Sequence, residues 1–312
     1  MTKDNLDSLK QAEAAFFDQI ADLRTQDGHI PLEADIRRAT KFIPKRTERI
    51  PAIDPQMTDI LDAGAREKYL SMVAHKAGGR VLDICCGSGW LALELGRRGQ
   101  IVDAYDLSPK AIALAKKTLE ENPFKEGFGA VNYHLQDASE VDLGVETYDA
   151  VSGWAAFHHL PDAPAFLERV KRALKPGGIV ATYDDLHMGK LEKTLELFLR
   201  FVLPQCHYSY LDKLSIAIDL IIGKRRLPEE GFSPMEEAKH CSVEDISRIL
   251  HDQFEVLLTL RKNAFVGTPL MTMAGGDAFR YPTGRVLMAL DRLLCRIGIV
   301  KGFDQIIIAR KN

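Results

Sequence analysis

The chain contains no run approaching the ~18–20 consecutive apolar residues that a membrane-spanning helix needs. No repeat or low-complexity tract interrupts its 312 residues. Positive charge is not in excess: 41 Lys and Arg against 44 Asp and Glu leave a net charge of −3, which provides no field for nucleic acid. Cysteine is sparse, and the five residues, Cys85, Cys86, Cys206, Cys241 and Cys295, form no C-x-x-C pair and no zinc-ligand spacing. An odd count with no signal-peptide pattern points to a reducing, cytoplasmic location. The adjacent Cys85 and Cys86 read as packing residues rather than a redox pair. What remains is an ordinary globular composition, 46% apolar and 27% charged, long enough for one large domain or two modest ones.

Against that background one stretch stands out, residues 81–90, VLDICCGSGW. Val81, Leu82 and Ile84 predict a buried strand, Gly87-Ser88-Gly89 a tight turn, and Leu91, Ala92, Leu93 and Leu95 the helix that follows. Glycine is needed where a backbone turns sharply and lies close to a ligand. A strand, a glycine-rich turn and a helix at this spacing make a nucleotide-type pocket at the carboxyl end of a parallel sheet.

Strand and helix signals alternate from there. Strand 101–106 leads to a helix with Ser108 as its N-cap and Pro109 at its first position. Strands at 130–136, 148–153 and 179–183 follow, with a helix near 162–174 stopped by Pro176-Gly177-Gly178. This rhythm predicts an α/β fold, a doubly wound, mostly parallel sheet with helices on both faces. After Asp185 the rhythm breaks into apolar helices at 190–203 and 211–222, then resumes with a helix at 242–252 and strands at 254–261 and 303–309. The last two strands suit an antiparallel pair with an inserted helix near 284–298. Ahead of the core, residues 4–25 predict an amphipathic helix bearing Phe16-Phe17, residues 26–56 a long proline-bearing connection, and residues 57–76 a second helix. The expected organisation is an N-terminal helical cap (1–70), a cofactor-binding core (71–185), a helical lid insertion (186–241) and a C-terminal part of the core (242–312) with its own insertion (263–301).

Four strand ends carry the chemistry. The first is Asp83 through Gly89. The second is Asp106-Leu107, 19 residues after Gly87, where a carboxylate can accept both hydroxyls of a ribose. The third is Asp137-Ala138, where a carboxylate can take an adenine amino group. The fourth, Gly153-Trp154-Ala155-Ala156, would line the reacting end. Gly87, Gly89 and Ala92 also satisfy the dinucleotide fingerprint G-x-G-x-x-G/A, so an NAD-dependent oxidoreductase is the competing reading. A pyrophosphate, however, wants a helix N-terminus and preferably a basic neighbour. Three carboxylates suit a cationic cofactor better, and the dinucleotide reading gives Asp137 no role.

This set resembles the class I S-adenosylmethionine-dependent methyltransferases, closely over about 70–190 and in outline over 242–310. VLDICCGSG is similar to the family's first motif, YDLSPKAI to its second, QDAS to its third, and FHHLPD with LKPGG to the stretch around strands four and five. The nearest likeness is to the group acting on small molecules, quinone-pathway enzymes included. The resemblance implies a seven-stranded Rossmann-like methyltransferase fold and S-adenosyl-L-methionine held by Asp83, Cys85, Gly87, Gly89, Asp106, Leu107, Asp137, Ala138 and Trp154. One departure is that Cys85 stands where the family has its first glycine.

Methyl transfer is an in-line displacement, and holding the reactants in line is most of the work, worth ~7–11 kcal/mol. A hydroxyl acceptor also calls for a base. His158 is the first candidate; His159, His187, Asp184 and Asp185 are the others. No third carboxylate joins Asp184 and Asp185, so no metal is expected. A cofactor-binding module without catalysis is the other alternative. Apolar residues recur at helical spacing in the insertions (Leu195, Phe198, Leu199 and Val202; Leu211, Leu214, Ile218, Ile221 and Ile222; Leu287, Leu290, Leu294 and Ile297). They predict either packing, including onto a homodimer partner, or a lid that, together with the N-terminal helix and Phe16-Phe17, encloses a small, lipid-like acceptor such as a lipid, quinone or polyketide between 186–240, 263–301 and the N-terminal segment. Lys224-Arg225-Arg226, with Arg285, Arg292 and Arg296, could meet an anionic head group or a membrane surface; a solvated charged face is the plainer reading.

Overall fold

A computed structural model describes residues 3–25, 28–40, 54–206, 208–221, 233–238 and 241–312. Its central strand is β1 (Arg80–Ile84), buried at every position from Val81 to Ile84. Burial on both faces is what a near-continuous apolar run in a parallel sheet produces. β1 pairs in parallel with β2 (Ile101–Asp106) on one side and β4 (Tyr148–Trp154) on the other. β3 (Ala130–Leu135) lies outside β2, and β5 (Leu174–Asp185) lies outside β4. β7 (Asp304–Arg310) sits antiparallel between β5 and β6 (Glu255–Lys262), giving the seven-stranded order β3-β2-β1-β4-β5-β7-β6. The strand order reverses between β1 and β4, which is where an open α/β sheet leaves a crevice at its carboxyl ends.

Helices cover both faces. α2 (Pro55–Val73), α3 (Trp90–Arg97) and α4 (Pro109–Glu120) pack on one, burying Tyr69, Leu70, Leu91, Leu95 and Ile112 against Val81 and Val102. α5 (Ala163–Ala173) and α9 (Val243–Gln253) pack on the other, burying Phe166, Leu167, Val170 and Leu250 against Leu82 and Val151. Ser108 caps α4 by accepting the Ala111 N–H at 3.1 Å. Ser242 and Asp245 form a full capping box at the start of α9.

Two boundaries differ from expectation. α5 ends at Ala173 because Leu174 already has extended backbone and begins β5; Pro176-Gly177-Gly178 lies inside that strand, beside a register shift between Tyr148 and Ala150. α11 (Asp277–Arg296) starts well before residue 284 and holds Pro282 in its second turn, where the ring removes the N–H that would have met the Ala278 carbonyl.

The insertions depart further from expectation. Met57 and Leu61 of α2 pack with Leu199 of α6 (Lys190–Val202), Leu270 of α10 (Gly267–Met271), and Tyr281 and Met288 of α11. One apolar face of α6 and of α11 is therefore spent on α2 rather than on a lid over the crevice. The outer faces of α6 and of α7 (Tyr210–Ile221) leave Phe198, Phe201, Leu211 and Leu214 exposed. Lys224-Arg225-Arg226 lies outside the described residues, as do 41–53 of the proline-bearing connection. Among the described residues, no helix is long and apolar enough to cross a membrane.

Candidate active site

The turn after β1 is made of left-handed backbone. Cys85, Gly87 and Gly89 have φ of 49°, 53° and 92°. At Gly89 the requirement is steric: a Cβ there would sit 2.5 Å from the Tyr133 hydroxyl, which donates to the Gly89 carbonyl at 2.8 Å. At Gly87 nothing lies within 4 Å of the Cβ position; its bare side is part of a cavity wall. Cys85 explains its own departure from the motif. The backbone keeps the conformation a glycine would adopt, and the small thiol side chain tolerates it at a cost of ~1–2 kcal/mol.

The start of α3 is closed by the protein itself. The Trp90 N–H donates to the Glu33 carbonyl at 2.9 Å. That loop is pinned by Asp35, whose two oxygens each accept from Arg97 at 2.9 Å in an almost fully buried pair. A pyrophosphate would need such N–H groups, so the dinucleotide reading loses its anchor.

The cavity beyond this turn measures about 250 Å³ and lies at the switch between β1 and β4. Asp106 is fixed on its rim: Oδ2 accepts the Gly87 N–H and Oδ1 the Ser108 N–H, both at 2.8 Å. Burial raises its pKa above the ordinary carboxylate range, against the lowering effect of those two donors. Asp137 Oδ1 accepts the Ser139 N–H at 2.7 Å. Asp83 is buried at 1% exposure with no well-aligned donor on either oxygen. Burial, and then the nearby Asp106, push its pKa well up, opposed by the Ala92 N–H. The two cations on the wall are already matched, Lys10 with Asp137 at 2.6 Å and Arg24 with Glu33 at 3.4 Å. An under-satisfied acidic pocket with no spare cation on its wall among the described residues fits a positively charged ligand better than a pyrophosphate.

Of the residues expected to bind cofactor, Cys85, Gly87, Asp106, Leu107, Asp137, Ala138 and Trp154 are on the cavity wall. Asp83 and Gly89 stand behind it. The Trp154 ring is stacked on Tyr183 at 3.9 Å and meets Trp90 and Tyr69 edge-on at 5.0 and 5.2 Å, so it is held rigidly.

Sequence reasoning missed part of the wall. Phe17 of α1 (Lys3–Thr25), expected in the lid, lines the cavity, and so, unexpectedly, do Lys10 and Glu13 of α1 and Met235 of α8 (Pro234–Glu237). Lys10, Glu13 and Phe17 are spaced i, i+3, i+7 and so share one helix face. Two buried charges on a face that also carries an aromatic were the available signal. Among the described residues, Met235 is the sole contribution to the wall from 186–241, and 263–301 contribute none. The cavity is therefore covered, among the described residues, by α1 and by α8, the latter lying within the expected lid insertion 186–241.

The histidines also differ from expectation. His159, not His158, is on the cavity wall, with Nδ1 at 2.8 Å from Glu13 and its ring edge-on to Phe17. His158 lies between two carboxylates, Nδ1 at 2.7 Å from Asp184 and Nε2 at 3.5 Å from Glu236. Burial works against charge on its ring, but the hydrogen bonds to Asp184 and Glu236 outweigh it and push the pKa up to about 10. As it stands, this ring is a cation at neutral pH and accepts no proton, so it is not poised as a general base. Asp184, Asp185 and His187 are not on the wall.

Residues 81–178 match the family model described as a methyltransferase domain. The demethylmenaquinone methyltransferase of Desulfitobacterium hafniense is 31% identical over 142 residues, 44% of this chain and 54% of that protein. A ubiquinone biosynthesis O-methyltransferase of Xanthomonas oryzae is 35% identical over 116 residues, 36% of this chain and 46% of that protein. The chain thus spans about half the length of these curated relatives. A solved SAM dependent methyltransferase from Aquifex aeolicus is 17% identical, with a TM-score of 0.46 over 87% of this chain and all of that one.

Proposed function

We propose that this chain, whose residues 81–178 form a class I S-adenosylmethionine-dependent methyltransferase domain, transfers a methyl group to an oxygen of a small, largely apolar acceptor. The observation that carries the reading is the cavity itself. One part is ringed by Asp106 and Asp137 with Asp83 behind, and the remainder is closed by Phe17, Leu160, Pro161 and Met235. When bound, S-adenosylmethionine supplies an electrophilic methyl group on a sulfonium cation.

The residues of the chain do the rest. Asp106, held by two backbone donors, keeps free lone pairs for ribose hydroxyls, and Asp137 is placed for an adenine amino group. Trp154 and the Cys85–Gly87 backbone fix the reacting end, and the α1 face excludes water, which favours dispersal of the sulfonium charge. His158 holds its proton, so the wall offers orientation and exclusion rather than a base from that ring. An acceptor hydroxyl would release its proton to solvent as the oxygen–carbon bond forms and the carbon–sulfur pair passes to sulfur. The choice of oxygen is supported by the ubiquinone biosynthesis O-methyltransferase named above, and a quinone-like acceptor by both relatives.

The test is calorimetry with S-adenosylmethionine and with NAD, followed by conversion to S-adenosylhomocysteine with phenolic acceptors. Binding of the first and not the second is expected, with turnover. Cofactor binding without turnover, including with cell extract, would leave a binding module only. NAD binding would overturn the reading.

A further inference from the structure

Where α8 meets the turn after β4, two imidazoles and a carboxylate converge. His158 and His159 belong to the one-turn helix Phe157–His159, and Glu236 to α8. One ligating atom from each lies within 4.8 Å of the others. His158 Nε2 and Glu236 Oε1 are 3.5 Å apart. Two ligands at about 2.1 Å from one tetrahedral ion would stand about 3.4 Å apart. We propose that His158, His159 and Glu236 bind one divalent transition-metal ion, zinc or a first-row neighbour, at the wall of the cavity.

Carboxylates already hold both imidazoles. His158 Nδ1 is 2.7 Å from Asp184, whose other oxygen accepts from the Thr182 hydroxyl. His159 Nδ1 is 2.8 Å from Glu13, which is itself held by the Ser233 hydroxyl and the Met235 N–H, each at 2.9 Å. A carboxylate on Nδ1 is the partner that sets the tautomer and aim of metal-binding histidines; a neutral ring donating Nδ1–H carries its lone pair on Nε2. Glu236 follows the same logic. Its Oε2 accepts the Ser233 N–H at 2.7 Å in a capping box, which leaves Oε1 on the side of His158. Three carboxylates around two imidazoles place net negative charge where a cation would sit, and binding would release the His158 proton to solvent. Two imidazoles and a carboxylate suit zinc, iron, cobalt or nickel rather than magnesium or calcium.

Three protein ligands leave a coordination position open, as catalytic sites do. His159 and Met235 are on the cavity wall, so that position suits an oxygen of the acceptor. This last part rests on the methyl-transfer reading; the ion site does not. It also departs from the expectation of no metal, which no local spacing contradicted, because the third ligand lies on a different segment from the two histidines.

The experiment uses the full-length chain stripped with a chelator, with neither cofactor nor acceptor present. Zn²⁺ alone is titrated by calorimetry and Co²⁺ alone by visible absorption. One ion per chain and ligand-field bands are expected. Glu236→Gln should weaken binding at least tenfold, His159→Asn should abolish the bands, and Asp184→Asn should weaken binding about 10- to 100-fold, with thermal melts of the metal-free variants confirming that they fold. Absence of stoichiometric binding, or equal affinity in the folded Glu236→Gln and His159→Asn variants, overturns the site. Adding catechol to the Co²⁺ form should shift the bands; unshifted bands overturn the open position. Metal binding together with failure to bind S-adenosylmethionine would sink the methyl-transfer reading while leaving the ion site standing.

Discussion

Lys10 Nζ lies 2.6 Å from Asp137 Oδ2, with both side chains about nine-tenths buried. The first helix of the chain is thereby tied to the end of the third strand, across the mouth of the cofactor cavity. The same ammonium is 2.5 Å from Glu140. Asp137 is the group proposed above for the adenine amino group, so on that reading the latch and the ligand share one carboxylate.

Opening that latch should therefore be a kinetic event more than a thermodynamic one. Lys10→Met is expected to speed both association and release of S-adenosylhomocysteine by about tenfold, about 1.4 kcal/mol off each barrier. The Kd should move less than about threefold, because freeing Asp137 offsets a looser lid. Stopped-flow fluorescence, with Trp90 and Trp154 at the site as reporters, reads both rates. Unchanged rates would show that α1 does not gate the cavity.

Asp106 should dominate affinity. Hydrogen bonds to a charged group are worth ~1.5–3 kcal/mol, so Asp106→Ala should weaken cofactor binding about tenfold to a hundredfold by calorimetry. The pH dependence has a definite sign. Burial raises the Asp106 pKa, so the carboxylate proposed to accept the ribose hydroxyls is lost as pH falls, and lost sooner than from an ordinary aspartate. Affinity is expected to fall on acidification in the native protein. Asp106→Asn should bind more weakly near neutral pH and show a flatter profile, with Asp83 and His159 as the other titratable groups acting near this site. A native profile that stays flat from neutral to mildly acid pH would refute the assignment.

The parts of this site that were legible in the sequence are those carried by one strand and its own turn. Asp83 to Gly89, Asp106 and Asp137 each sit within a few residues of the strand that positions them, so spacing alone locates them. Phe17 was legible as part of a lid, but Lys10 and Glu13 were not legible as wall residues, because their partners Asp137 and His159 lie more than a hundred residues away in the chain. Glu236 meets His158 only through the docking of a four-residue helix. The apolar periodicity of 190–203 correctly marked a helix but not its covered face. Leu195 and Leu199 pack inward while Phe198 is 60% exposed, and nothing local distinguishes them.

Cys85 offers a test of backbone geometry separate from ligand chemistry. Its φ of 49° is open to glycine, costly for most residues and worst for β-branched ones. Cys85→Gly should bind cofactor within about threefold of the native chain. Cys85→Val should lose about 2 kcal/mol of stability, a drop of roughly 4 °C or more in Tm, and bind cofactor poorly. Equal melting of the two variants would show that the turn relaxes to accommodate a side chain.

Glu13 is the second tie of α1 and the one that reaches His159 and α8. Its carboxylate accepts from the Ser233 hydroxyl and the Met235 N–H and lies 2.8 Å from His159 Nδ1, so three segments meet on one buried group at 4% exposure. Removing it strands donors at about 1–3 kcal/mol each, more than a four-residue helix can withstand. Glu13→Ala should release α8 from α1, and hydrogen exchange at the Met235 amide should quicken at least tenfold. The cofactor end, held by Asp106 and the Cys85–Gly89 turn, should keep its Kd within about threefold. The acceptor KM should rise about tenfold or more, since Phe17 and Met235 lose their fixed positions together. Quickened exchange with an unchanged acceptor KM would mean that the acceptor approaches elsewhere, and protected exchange at Met235 would mean that α8 is held by something other than Glu13.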